Sequence, residues 1–147
     1  MGKSSTKAKN KYNAKAYDRI SVSVKKGIKD EWKSAAEKQR LSLNAFIENA
    51  VNQMIAHDKN YRMLLAITIY ELDLPLIAYN CLDRAKIKTI GDFKHYIETT
   101  EINKIRNLDK KRATYIFDKF KEYEYKYNVS LNIDYDKLLS QLPHSFK

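Results

Sequence analysis

The chain has 147 residues, of which 44% are hydrophobic, 31% charged and 12% aromatic, with 3 glycines, 2 prolines and one cysteine, Cys81. These values fit one ordinary folded domain or two very small ones; they disfavour a turn-rich sandwich or barrel and exclude an internal disulfide framework or a cysteine-rich zinc site. Lys and Arg number 28 against 18 Asp and Glu, a net charge of +10, which points to a polyanionic partner, most simply nucleic acid.

Most of that excess lies early, with 12 basic and 5 acidic residues in 1–57. Residues 1–16 carry five lysines and no acid, too little apolar surface to order themselves, and are expected to form a flexible basic arm. Residues 19–25, RISVSVK, alternate strictly: Ile20, Val22 and Val24 on one side, Arg19, Ser21 and Ser23 on the other. That is one short β-strand. No comparable strand follows nearby, and a lone strand leaves its backbone groups unpaired, so pairing with a second copy is expected.

Two helical patterns come next. Ile28, Trp32, Ala35 and Ala36 share one helical face; Phe46, Ile47, Ala50, Val51, Met54 and Ile55 share another, with Ser42 as the expected N-cap and Arg40-Leu41 as the break. A linker is expected over 58–68, although the apolar run Met63–Tyr70 also allows a connecting helix. A second domain over 69–131 then reads as several short helices. Leu74, Ile77, Ala78, Cys81 and Leu82 mark the first, Thr89 caps the next, Thr100 precedes a third, and Asp109 precedes the longest. Residues 132–147 read as a tail with a weak amphipathic stretch.

Residues 17–55, with RISVSV, KDEWKSAAEK and SLNAFI in that order, resemble the ribbon-helix-helix DNA-binding family of Arc-type repressors. The resemblance implies a homodimer whose paired strands enter the DNA major groove. Arg19, Ser21 and Ser23 would read bases. Lys25 and Lys26, with the amides of Ser42, Leu43 and Asn44 at a helix N-terminus, would hold phosphates.

Residues 69–127, with LDLPLIAYNCLDRAKIKTIGDF and INKIRNLDKKRATYIFDKF, resemble the C-terminal domain of the bacterial RNA polymerase alpha subunit. That resemblance implies a compact helix-hairpin-helix-type fold that contacts the DNA minor groove and docks transcription regulators. Asn80 matches a DNA-contacting position and Lys111 a phosphate-contacting one; Lys110, Lys111 and Arg112 form a basic cluster. Ile77 stands where the family has its principal minor-groove arginine. Asp109 stands at the hairpin glycine, where a left-handed backbone is expected, and Arg112 and Tyr115 replace a serine and a glutamate.

The fold class expected is therefore mainly α, with one strand paired across a homodimer and a helical hairpin-type domain. His57, His95 and His144 show no metal-ligand spacing, and no nucleotide-binding or nucleophile motif occurs. No metal, cofactor or enzymatic activity is expected. No apolar run is long enough to span a membrane and no secretion signal begins the sequence, so a cytoplasmic, nucleoid-associated protein is expected. The function read from these features is sequence-specific transcriptional regulation, as a repressor, on double-stranded DNA, with RNA polymerase or another protein as a further partner. The alternatives are an antitoxin-like protein or a plasmid partition or conjugation accessory protein.

Overall fold

Helices supply the regular structure in the computed structural model, which describes residue 11 and residues 14–145. The protein divides into two compact units, residues 1–48 and 49–147. Among the described residues no helix is long and apolar enough to cross a membrane.

In the first unit most of the expected basic arm lies outside the described residues. Residues 17–25 carry no regular structure, so the strand expected over 19–25 is not formed within one chain. Among the described residues there is no strand for this segment to complete a ladder with. Gly27, at φ 94°, turns the backbone into α1 (Ile28–Lys38). Its carbonyl accepts from the amides of Asp30 and Glu31 at 3.0 and 3.1 Å, and those two carboxylates lie where the helix dipole favours them. Arg40, left-handed at φ 57°, ends the helix, with the Leu41 amide returning to the Ala36 carbonyl at 2.9 Å. The break thus falls where the sequence places it. Ser42 then caps α2 (Leu43–Ala66), its Oγ accepting from the Ala45 amide at 3.2 Å.

The linker expected over 58–68 is instead largely helix, because α2 continues to Ala66. No glycine or proline interrupts this stretch. Arg62 and Asp58 pair at 2.7 Å along its surface, Leu64 is fully buried, and Asn60 Nδ2 donates to the Tyr127 carbonyl at 3.0 Å. A helix tied down along one face has no reason to fray into a connector.

The second unit continues with α3 (Leu76–Arg84), α4 (Ile90–Thr99), a 3₁₀ turn (Ile102–Lys104), α5 (Lys110–Tyr127) and α6 (Tyr135–Ser140). Its core centres on Phe93, whose ring meets Phe117 and Phe120 edge-on at centroid distances of 6.0 and 5.0 Å. Thr89 caps α4 in a reciprocal box: the Asp92 amide donates to Thr89 Oγ1 at 3.0 Å and the Thr89 amide to Asp92 Oδ2 at 2.9 Å. The segments after α2 and before α4 lie side by side, with Ile69 N donating to Lys88 O at 2.8 Å and Ile90 N to Ile67 O at 2.9 Å. Gly91 permits that approach, since a Cβ there would stand 2.9 Å from the Leu65 carbonyl oxygen.

Residues 132–147, expected as a tail, are partly built into this core. Tyr135 and Leu142 are buried. Glu124, on α5, ties the segment down: it accepts from the Tyr135 hydroxyl at 2.9 Å and from the Leu131 amide.

Candidate nucleic-acid interface

Two sets of residues are marked by the sequence. In the first unit Arg19, Ser21 and Ser23 are exposed on the unstructured segment 17–25, and Lys25 and Lys26 are exposed just before the Gly27 turn. The Lys25 carbonyl accepts from the Ile28 amide at 3.2 Å. Ser42 and Asn44 are exposed and Leu43 is half-buried at the start of α2. The hydroxyl of Ser42 takes the Ala45 amide, as an N-cap does.

The second set gathers where α3 meets the hairpin leading into α5. Cys81 is buried and its thiol lies 3.2 Å from the Ile77 carbonyl and 3.3 Å from the Asn107 carbonyl. Burial pushes this thiol above its usual range; nearby Arg112 opposes that rise and Asp109 reinforces it. Cys81 is therefore a neutral donor that pins α3 to the hairpin, and it is not poised as a nucleophile.

The hairpin differs from the expectation at Asp109. Its backbone is extended, with φ −111° and ψ 175°, and the left-handed residue of the hairpin is Asn107, at φ 63°. Asp109 is instead the N-cap of α5. It is only 4% exposed, its Oδ1 accepts from the Arg112 amide at 2.8 Å, and its Oδ2 pairs with Arg112 Nη1 at 2.7 Å. Arg112 Nη1 also donates to the Asn107 carbonyl at 3.1 Å. Arg112, expected to present its charge outward with the two lysines, directs it into the hairpin. The signal for this was in the sequence: Asp three residues before Arg at a helix start is a capping arrangement as well as an ion pair.

Lys110 is half-buried. Its amide donates to the Pro143 carbonyl at 2.9 Å and its Nζ lies 3.5 Å from His144 Nε2. This contact was not legible in sequence, because it comes from residues some thirty positions downstream. Lys111 is exposed and Asn80 half-buried. Ile77, placed by its periodicity on the buried face with Ala78 and Cys81, is exposed instead. The structure thus brings Cys81, Asn107, Arg112 and Asp109 together, leaves Lys111 outward, and turns Lys110 toward residues 143–144.

Residues 56–122 match the family model for the C-terminal domain of the alpha subunit of bacterial RNA polymerase. The match begins within α2, ahead of the boundary expected at residue 69, and it makes the second domain alpha-C-terminal-domain-like. Among similar curated proteins is a DNA-directed RNA polymerase subunit alpha from Chlorobium phaeobacteroides, 30% identical over 86 residues, covering 58% of this protein and 26% of the relative. Another, from Heliobacterium modesticaldum, is 41% identical over 70 residues, covering 46% and 22%. A third, from Marchantia polymorpha, is 39% identical over 56 residues, covering 38% and 16%. The match spans about a quarter or less of the length of these relatives. No solved structure matches it.

Proposed function

We propose that this protein is a DNA-binding transcriptional regulator acting as a repressor. Two copies pair through residues 17–55 into a ribbon-helix-helix unit, and the second domain adds DNA-backbone or protein contacts. The observation that carries the reading is an unfinished first unit. Among its described residues Ala36 alone is buried, whereas Ile20, Val22 and Val24 are 86%, 60% and 39% exposed. A unit of this size with one buried side chain has no core of its own. Pairing two chains along the alternating segment covers these three side chains, each contributing about 1.5–3 kcal/mol when fully buried. It also lines up Arg19, Ser21 and Ser23 on the opposite face, following the lysine-rich start of the sequence. The similarity to polymerase alpha subunits supports a role in transcription, and with it a location on cytoplasmic DNA.

The test is DNA binding by fluorescence anisotropy across a salt series, with oligomeric state measured in parallel by sedimentation equilibrium. A dimer with sequence preference is expected, with log K falling by about 0.9 per neutralised phosphate in log salt. Replacing Arg19, Ser21 and Ser23 together with alanine should keep that slope and remove the preference. A monomer, or a triple variant that selects the same sequences, refutes the reading.

An antitoxin-like or partition-accessory role, in which the second domain engages a protein, is favoured by one specific feature. At the start of α5, the natural phosphate site of a hairpin, the Lys110 and Arg112 amides are already taken by the Pro143 carbonyl and the Asp109 carboxylate of the same chain.

A further inference from the structure

Residues 71–81 run antiparallel beside α5. The Glu71 carbonyl accepts from the Tyr123 hydroxyl at 2.9 Å. Asp73 acts electrostatically on Lys119, behind that lysine's main partner Glu122. Cys81 meets Asn107, just ahead of α5. Ile77 therefore lies between these points, alongside the Arg112–Tyr115 stretch. Leu76, Ile77 and Tyr115 are 72%, 59% and 46% exposed, and together they make an apolar strip between two charged ends.

At one end Asn80 and Arg84 follow Ile77 on the same helical face, and Lys111 precedes Tyr115 by one turn. The acids near this end are engaged, Asp109 with Arg112 and Asp83 with Lys88, so it is net positive. At the other end Asp73 and Asp118 are exposed. A duplex meets this strip badly. It offers phosphates to apolar side chains and to two carboxylates, while the Lys110 and Arg112 amides at the start of α5 are already bonded to Pro143 and Asp109. A protein segment with apolar residues at its centre and carboxylates at one end matches the strip in both polarity and direction.

We propose that this strip is a docking surface for an amphipathic, acid-ended protein segment, and not a nucleic-acid contact. The inference deepens the reading in which the second domain makes a protein contact. It is independent of DNA recognition by the first unit.

The experiment titrates the isotope-labelled full-length protein with three probes, followed by amide chemical-shift mapping. The first is a synthetic helix-forming peptide with two leucines one turn apart, followed by a glutamate-rich turn. The second is the same peptide with lysine for glutamate. The third is a mixed-sequence DNA duplex. Shifts at residues 76–80 and 111–115 with the glutamate peptide alone are expected. Ile77→Ala, an exposed change that leaves the core intact, should weaken that binding by about tenfold, as loss of one large apolar anchor does. Absence of shifts there at about 1 mM peptide, equal binding of the lysine peptide, or shifts at the strip with the duplex that Ile77→Ala diminishes would each overturn the proposal. Anisotropy with the Arg19, Ser21 and Ser23 triple variant reports separately on the first unit, so either result can fail alone.

Discussion

Removing the Asp109 carboxylate should destabilise the second unit in two separable steps. In the wild type one oxygen caps α5 through the Arg112 amide and the other pairs with the Arg112 guanidinium, in a site where Asp109 is almost wholly buried. Losing an N-cap costs about 1 kcal/mol. Losing a hydrogen bond between charged groups costs about 1.5–3 kcal/mol, here toward the lower figure because Arg112 keeps its bond to the Asn107 carbonyl. Asp109→Ala should therefore cost about 2–3 kcal/mol, or about 10–20 °C in Tm for a domain of this size. Asp109→Asn keeps a good cap and loses only the charge, so it should cost about 1–2 kcal/mol less than the alanine variant. The assay is urea unfolding followed by near-ultraviolet tyrosine dichroism, because the single tryptophan, Trp32, belongs to the first unit and most tyrosines to the second. Asparagine as costly as alanine, or alanine within about 0.5 kcal/mol of wild type, would show that the pairing carries no stability and that Arg112 is available to a ligand after all.

Other substitutions probe the remaining joints. Gly91→Ala drives a methyl into the Leu65 carbonyl and should cost about 1–3 kcal/mol by thermal unfolding; a neutral result would mean that α4 slides freely past the end of α2. Deleting residues 133–147 removes buried Tyr135 and Leu142 and should lower Tm by several degrees with more rapid exchange of the α5 amides, whereas an unchanged Tm would make that segment an appendage. Burial holds the Cys81 thiol above its usual range, and burial with the Glu124 bond does the same for the Tyr135 phenol. Both groups bind protons more tightly folded than unfolded, so stability should fall as pH climbs above about 8.5–10, the range in which the unfolded groups ionise. Cys81→Ala should flatten the first part of that decline, and a stability curve level through this window would contradict it. Native Cys81 should also react with a thiol reagent far more slowly than the unfolded protein.

The elements whose causes are local were legible from residues alone. Ser42 and Thr89 cap helices, the break follows Gln39, and Ala113, Ile116, Phe117 and Phe120 form the buried face of the longest helix in the second domain. What escaped depends on contacts distant in sequence. The long α2 is held past residue 58 by Leu64 and by the bond from Asn60 to Tyr127, so a polar stretch that reads as a linker is one face of a helix. Tyr135 and Leu142 read as weakly amphipathic because their burial is completed by a core distant in sequence, Tyr135 by Glu124 and Phe117 on another helix. Residues 19–25 are the reverse case, since their alternation is strong but the segment carries no regular structure. At the hairpin, matching Asp109 to a glycine position suggested a left-handed residue there; the capping chemistry of Asp prevailed and the left-handed residue is Asn107.

The hairpin also constrains how this sequence can change. Asp109, Arg112, Asn107 and Cys81 share partners, so their substitutions are energetically coupled. Replacing Asp109 alone strands a half-buried cation; replacing Arg112 alone strands a buried carboxylate, the costlier of the two errors. A single arginine at position 77 would meet the same closed hairpin behind it. Placing an arginine-lined surface at this hairpin therefore requires several simultaneous changes across α3 and α5. Descendants of this sequence that retain Asp109 and Arg112 as a pair are held on one side of a fitness valley, free to vary the exposed Leu76, Ile77 and Tyr115 one at a time without disturbing the hairpin behind them.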